Sequence, residues 1–506
     1  MWLTQLLERN RQCFPHRTAL VDERREVTWA EFHDRTAELA RGLAELGIER
    51  GERVAVLSKD RIEVLESYFA LARLGALFVP LNHSLAEPEV ADIIERVGAV
   101  AVLGESELLD RHPELPGSVR IRLALDKPSF EALGTLADER ELPAVADTDP
   151  IAVLHTSATT GRAKGVTVDS GSFRAIALGW LVMARPTDDI VMVNCCPLYH
   201  GSMVVSLTYL AAGATVVLMP GFTPQRALAA VERHRATHMW MVPQMLRFML
   251  QAKASHRTDL SSLREILYGA APMPLDVYAD AVRRLGCGFR QVYGMTEVGG
   301  PFVTLGPDEH PAPGDVTARI PCGRVVPGMS ARAADEGGRE LPRGGIGEIV
   351  VRGPGLMQGY WNDPEATREI TVDGWVRTGD LGFVDEEGRI SLVDRTKDVI
   401  IRAGQNVYPS EIERALMTHP AVRDAAVVGM PDEDYGEVPL AYVALEPDAD
   451  AGAGMSTDAG TGTSAAELLA HVAELLAPYK RPRRVEFIDQ VPRNPAGKIV
   501  KKLLRV

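Results

Sequence analysis

Residues 151–165 read Ile151-Ala152-Val153-Leu154-His155-Thr156-Ser157-Ala158-Thr159-Thr160-Gly161-Arg162-Ala163-Lys164-Gly165. The apolar start has the length and character of a buried strand. After it comes a loop of small and hydroxylated residues that closes on a lysine. Such a loop suits an anion. Small residues such as Gly161 let backbone N–H groups approach it, the hydroxyls of Thr156, Ser157, Thr159 and Thr160 donate to its oxygens, and Lys164 brings positive charge. An ordinary polar turn after a strand would share this composition. The stretch is also not G-x-x-x-x-G-K-[ST], because Gly165 follows Lys164 and the first glycine is missing.

Outward from the loop, helical and strand patterns alternate. Thr28 and Glu31 form a capping box, Phe32, Leu39, Leu43 and Leu46 recur at helical spacing, and Gly47 supplies a stop. Short apolar runs at 53–57, 77–79 and 99–103 read as strands, with helices at 62–74 (ended by Gly75) and 88–97 between them. Further strand patterns fall at 190–193, 214–219 and 239–242. This alternation predicts an α/β fold, a large body of parallel-rich sheets covered by helices over residues 1–394. From 395 to 506 the texture changes to a small α+β unit. A helix opens at Ser410, strands are expected at 424–428 and 440–445, and a helix at 465–476. Between them, residues 448–464 (DADAGAGMSTDAGTGTS) lack periodicity and large side chains, and read as a disordered surface loop.

A chain of 506 residues exceeds one hydrophobic core, so two domains are expected. No basic stretch precedes a long apolar core at the start, and no apolar run reaches the ~18 residues of a membrane span, so neither a secretory signal nor a transmembrane helix is expected. The cysteines (Cys13, Cys195, Cys196, Cys287, Cys322) form neither a C-x-x-C pair nor an even framework, which fits a reducing cytoplasm. A net charge of −14 argues against a nucleic-acid partner. The stretch Gly353 to Gly359 is not a dinucleotide fingerprint, having three residues where two are required before its last glycine.

Further motifs follow the loop in a fixed order: Gln291-Val292-Tyr293-Gly294-Met295-Thr296-Glu297; Thr378-Gly379-Asp380 with Asp394-Arg395-Thr396-Lys397-Asp398; and Pro492-Arg493-Asn494-Pro495-Ala496-Gly497-Lys498. Taken singly, an Asp or Arg is usually solvated surface and a Tyr before Gly is usually core. Together and in this order the motifs resemble those of the adenylate-forming superfamily, which holds acyl- and aryl-CoA synthetases, peptide-synthetase adenylation domains and beetle luciferases. The resemblance runs from Thr28 to Lys502. The stretch Gly404-Gln405-Asn406-Val407-Tyr408-Pro409 is most similar to that of CoA ligases. The activity implied is ATP-dependent conversion of a carboxylic acid to acyl-AMP with release of pyrophosphate, then thioester formation with CoA. ATP, Mg²⁺ and CoA are the implied cofactors.

The resemblance also assigns roles. The 156–165 loop would cover the β- and γ-phosphates, with Thr296 and Glu297 beside the α-phosphate and Glu297 as the Mg²⁺ ligand. Gly269-Ala270-Ala271-Pro272 would let adenine lie against backbone and Tyr293 would stack on it, with Gln291, Gly294 and Met295 in the same nucleotide-binding segment. Asp380 would accept from the ribose hydroxyls, backed by Arg395. Lys498 would meet the charge that gathers on the α-phosphate, and Lys397 would be the hinge of a mobile small domain. His200, in Pro197-Leu198-Tyr199-His200-Gly201, either contacts the carboxylate or is a satisfied core histidine. Trp240, Met241, Val298, Gly299 and Gly300 are expected to form a roomy apolar acyl pocket for a bulky or medium-to-long apolar acid. Two loop residues depart from the family pattern: Ala158 stands where glycine is usual and Ala163 where proline is, and alanine at φ > 0 costs about 1 kcal/mol or more. A stand-alone adenylating enzyme that hands its acyl group to an acyl carrier protein is the alternative, with a non-catalytic nucleotide-binding homologue as a minor one. A homodimer is compatible with either.

Overall fold

In the computed structural model, Thr28 Oγ1 accepts from the Glu31 N–H at 3.2 Å while the Glu31 carboxylate accepts from Thr28 N–H at 2.7 Å. This reciprocal cap starts the helix Trp29–Glu45, which buries Phe32, Leu39 and Leu43, whereas Leu46 stays exposed at its end. The helix Ile62–Leu74 stops at Gly75, whose φ of 74° suits a residue without Cβ. The structure describes residues 1–134, 141–156, 163–199, 201–313, 315, 319–446, 463–493 and 499–504. The expected surface loop at 448–464 falls almost wholly outside them.

The described residues pack as two compact units, Met1–Ala331 with Val351–Val376, and Arg332–Val350 with Arg377–Val506. The first contains two sheets covered by helices. In the seven-stranded sheet the spatial order is Gly359–Tyr360, Gly165–Asp169, Pro150–His155, Leu77–Leu81, Arg53–Leu57, Ala101–Gly104 and Ile121–Ala124. Its middle is parallel (Ala55 opposite Val79 and Val102, Phe78 opposite Ala152). Near one edge the chain reverses: Pro150–His155 and Gly165–Asp169 run antiparallel, so the candidate anion loop is the tip of a hairpin. The outermost strand, Gly359–Tyr360, arrives from far along the chain and pairs antiparallel with Thr167 and Val166.

The nine-stranded sheet has a parallel centre, with Thr215–Leu218, Val191–Asn194, His238–Met241, Glu265–Gly269 and Gly288–Met295 side by side, and then Gly300–Leu305 antiparallel to the last. Val193, Met239, Met241, Ile266 and Tyr268 are buried with Leu228, Leu246 and Val277 from the covering helices. The short, near-continuous apolar strands are what burial on both faces demands.

In the second unit, Val422–Asp432 and Gly436–Leu445 form a long antiparallel pair, with Ile400–Arg402, Gln405–Val407 and Arg484–Phe487 completing the sheet. The helices Pro409–Met417 and Ala465–Leu475 bury Ile412, Leu416, Leu468 and Val472 against one face of it. Residues 380–384 pair antiparallel with Ile390–Arg395. The Asp394 carboxylate accepts from Ser410 N–H at 2.8 Å, and the Ser410 hydroxyl donates to the Val393 carbonyl. These bonds explain why the segment before residue 395 packs in this unit. No helix among the described residues is long and apolar enough to cross a membrane, and none of the cysteines is in a disulfide.

Candidate active site

The hairpin fixes both ends of the loop. Thr156 N–H donates to the Lys164 carbonyl at 3.0 Å, and Arg96 donates to the Ala163 carbonyl at 2.9 Å. Ser157, Ala158, Thr159, Thr160 and Gly161 lie outside the described residues, as do His200 and Lys498. Lys164 is half-buried, with its ammonium 4.8 Å from the centroid of the Tyr360 ring. Trp361 N–H donates to the Gly165 carbonyl at 2.7 Å, which ties the outer strand to the point where the loop ends.

The Gln291–Glu297 segment is the end of the strand Gly288–Met295 and the 3₁₀ turn Thr296–Val298. A Cβ on Gly294 would lie 2.3 Å from the Gly300 carbonyl oxygen, so the strand crossing needs glycine there. The Gln291 side chain is committed inside the sheet: its oxygen accepts from the Tyr268 hydroxyl at 3.0 Å and its amide donates to Cys322 Sγ at 3.6 Å. The Tyr293 ring lies against Phe302, centroids 5.1 Å apart. Thr296 and Met295 are half-buried and Gly294 is exposed. Glu297 is 9% exposed, and its Oε1 accepts from the Tyr360 hydroxyl at 2.8 Å. Burial, and then the Glu297 charge, push the Tyr360 phenol well up, so it stays the donor.

The donor set fits Mg²⁺ carried in with a nucleotide. One buried carboxylate, with one oxygen held by a phenol, suits an ion that keeps phosphate oxygens and waters. Among the described residues no group of His, Cys, Asp and Glu could hold a metal by itself.

Gly269 must be glycine for close approach, since a Cβ would fall 2.4 Å from the Val292 carbonyl oxygen and 3.2 Å from the Trp240 ring. Ala270 has φ 66°, a left-handed conformation that costs about 1–2 kcal/mol for a residue with a Cβ. Ala270 and Pro272 are exposed and Ala271 is half-buried, so this turn presents backbone at the surface of the unit.

The acyl-pocket expectation needs correction. Trp240 and Met241 are successive residues of one strand, and successive side chains point to opposite faces. Met241 belongs to the helix-covered core with Tyr268 and Val277, whereas Trp240 lies against Gly269. They do not form one wall. Nor do Gly299 and Gly300 leave empty room. A Cβ would fall 2.7 Å from the Gly355 carbonyl oxygen at the first and 2.9 Å from Val204 at the second, and their φ values are 64° and 129°. They are glycines because the turn after Val298, itself fully buried, is tight.

In the second unit, Asp380 and Arg395 sit opposite one another across an antiparallel pair, and Arg395 Nε is 2.7 Å from Asp380 Oδ1. The Asp380 side chain is 10% exposed, so the guanidinium compensates a carboxylate largely withdrawn from water. Lys397 is exposed in the 3₁₀ turn Thr396–Asp398.

Two residues of the site carry no local sign in the sequence. Tyr360 makes its bond to a carboxylate 63 positions away, and no nearby pattern announces it. Asp60 follows a strand as Ser58-Lys59-Asp60, which looks like an exposed turn. It is 6% exposed, accepts from Leu198 N–H at 2.9 Å, and borders a small cavity with Ser58, Phe78 and Tyr199. It thereby supports the segment that precedes His200.

Residues 7–361 match the model of the AMP-binding enzyme family, and 411–498 that of the AMP-binding enzyme C-terminal domain. The chain is 35% identical to the fatty acid–[acyl-carrier-protein] ligase ScoC of Streptomyces coeruleorubidus, over 99% of this chain and 96% of that protein. It is 36% identical to a feruloyl-CoA synthase of Amycolatopsis, over 97% and 96%. The ATP-bound structure of MatB from Rhodopseudomonas palustris superposes with a TM-score of 0.89 at 31% identity, over 99% of this chain and 98% of that one. The hairpin loop, the buried Glu297 and both matched regions lead to one conclusion: the chain belongs to the AMP-binding enzyme family, in the adenylate-forming superfamily, and is one of its ligases.

Proposed function

We propose that this chain joins a carboxylic acid to the thiol of CoA in two steps, using ATP and Mg²⁺. The observation that carries the reading is the buried Glu297 carboxylate, held by Tyr360 on the strand that also closes the anion-loop hairpin. In the first step a carboxylate oxygen attacks the α-phosphorus and pyrophosphate leaves; in the second the thiol sulfur attacks the acyl carbonyl and AMP leaves. Mg²⁺ bound by Glu297 and the phosphates would neutralise charge there. Thr296 and the loop residues Thr156, Ser157, Thr159, Thr160 and Lys164 would orient the phosphates. Asp380, held in place by Arg395, would accept from the ribose hydroxyls. Lys498 would stabilise the charge that develops in the first transition state. It would do so in one of two arrangements of the body 1–394 and the domain 395–506, alternating about Lys397.

The acid is proposed to be apolar and larger than acetate. Trp240, packed near Gly269, supports that reading, since its apolar ring offers an amino group no carboxylate. A second reading, transfer to an acyl carrier protein in place of CoA, is favoured by the likeness to ScoC. Reduced, mostly buried cysteines suit the cytoplasm. The test is pyrophosphate release across a panel of carboxylic acids, followed by CoA or a carrier protein as acceptor. Pyrophosphate release with apolar acids and thioester with CoA support the proposal. Release only with acetate or amino acids, or thioester only on a carrier protein, overturns the corresponding part.

A further inference from the structure

Tyr360 has two polar neighbours that belong to different parts of the nucleotide site. Its hydroxyl donates to Glu297 Oε1 at 2.8 Å, and the face of its ring receives the Lys164 ammonium at 4.8 Å from the centroid. Its backbone is pinned on both sides. Met357 N–H donates to the Glu297 carbonyl at 2.9 Å, and Trp361 N–H donates to the Gly165 carbonyl at 2.7 Å. Tyr360 N–H itself donates to Thr367 Oγ1 at 2.9 Å. The ring therefore stands between the end of the phosphate loop and the turn that carries the carboxylate, with little freedom to leave.

We propose that Tyr360 is a positioning residue with two working ends: its hydroxyl fixes the Glu297 carboxylate for the metal, and its ring parks Lys164 until nucleotide phosphate draws the lysine away. The proposal rests on the reading of Glu297 as metal ligand and Lys164 as phosphate ligand. A carboxylate held through one oxygen presents the other in a fixed direction, and an outer hydrogen-bond partner of this kind tunes metal affinity. The contact between an ammonium and a ring face is weak and reversible, while the oxygens of a triphosphate offer a charged hydrogen bond, so exchange of Lys164 from ring to phosphate runs downhill. A ring that served packing alone would need neither its hydroxyl nor the lysine.

The experiment uses the full chain, as wild type and as Tyr360→Phe, Tyr360→Leu and Glu297→Gln. ATP binding is measured by calorimetry across a Mg²⁺ titration, and the Lys164 ε-methylene resonance is followed by NMR, assigned through Lys164→Arg. Tyr360→Phe is expected to raise the Mg²⁺ concentration needed for half-maximal ATP affinity by about tenfold, the low end for loss of an outer partner. Binding of ATP without metal should stay unchanged. The free wild type and Tyr360→Phe should both show the lysine signal shifted upfield by the ring. That shift should disappear in Tyr360→Leu, and on adding Mg²⁺ and ATP to the wild type. If Glu297→Gln shifts the Mg²⁺ midpoint and Tyr360→Phe does not, the hydroxyl only packs and the inference is overturned. If Glu297→Gln leaves the midpoint alone, the metal-ligand reading itself fails. A lysine signal without the upfield shift in the free wild type overturns the parking role.

Discussion

Lys498→Ala is expected to abolish acyl-AMP formation from acid and ATP while acyl transfer from a supplied acyl-adenylate to CoA persists, because the role proposed for the lysine is confined to the first transition state. Pyrophosphate release and thioester formation, measured separately, check this; equal loss of both would refute the assigned role. Arg395→Gln withdraws the guanidinium 2.7 Å from Asp380. The KM for ATP should rise roughly tenfold, about 1.5 kcal/mol, the scale of one hydrogen bond to a charged group. Circular dichroism should stay unchanged, since Arg395 is 43% exposed and its loss opens no cavity. An unchanged KM would mean that Asp380 does not hold the ribose, or holds it unaided. At this scale the sequence offers candidate polar residues, because their motifs are local runs, but not the partner each side chain takes. The Gln291 side chain is committed to Tyr268 and Cys322 within the sheet, and a partner 23 positions away leaves no trace in the motif.

The turn Thr396–Asp398 joins a strand to the small sheet, and proline there tests whether it is a hinge. Lys397→Pro fixes φ near −65° and restricts Thr396 as well. Acyl-AMP formation should stay within a few-fold of wild type while thioester formation falls by two orders of magnitude or more. Acyl-CoA made at the wild-type rate would rule out alternation about this residue. Rotation at 397 would also have to break the bonds from Ser410 to Asp394 and Val393. Elements whose ends carry a chemical signal are legible: the Thr28 cap and the Gly75 stop fall where the sequence puts them. The outer strand Gly359–Tyr360 is not, since two residues have no periodicity and the pairing partner is remote. The misplacement of Met241 has a simpler source. Adjacent apolar letters suggest one wall, although a strand separates them onto two faces.

Two buried groups give the whole molecule a stability that responds to pH from opposite sides. Burial pushes the Asp60 carboxyl up to about 8. With a raised folded value, its contribution is fully present below the unfolded value near 4 and is lost as pH rises through about 8. Asp60→Asn should therefore gain on wild type between pH 5 and 8, by about 5 kcal/mol at the upper end, and match it at pH 4. His238, 9% exposed, is pushed down to about 4 by burial, then by Arg264 and Arg290. Its contribution is present above about 6.5 and is lost as pH falls through about 4. His238→Gln should flatten the loss between pH 6.5 and 5 by about 1–2 kcal/mol. Urea midpoints across this range check both, and parallel curves for wild type and variants would contradict them. The edge strand of the seven-stranded sheet has a consequence for the chain as it is made. Gly359 and Tyr360 leave the ribosome about 190 residues after the strand they cover. At ~5–20 residues per second that is roughly 10–40 s during which the nascent edge at Gly165–Asp169 stands open to pairing with a neighbouring chain. The hairpin that carries the candidate anion loop thus matures late in biosynthesis, and a fragment released before residue 359 would carry that open edge permanently.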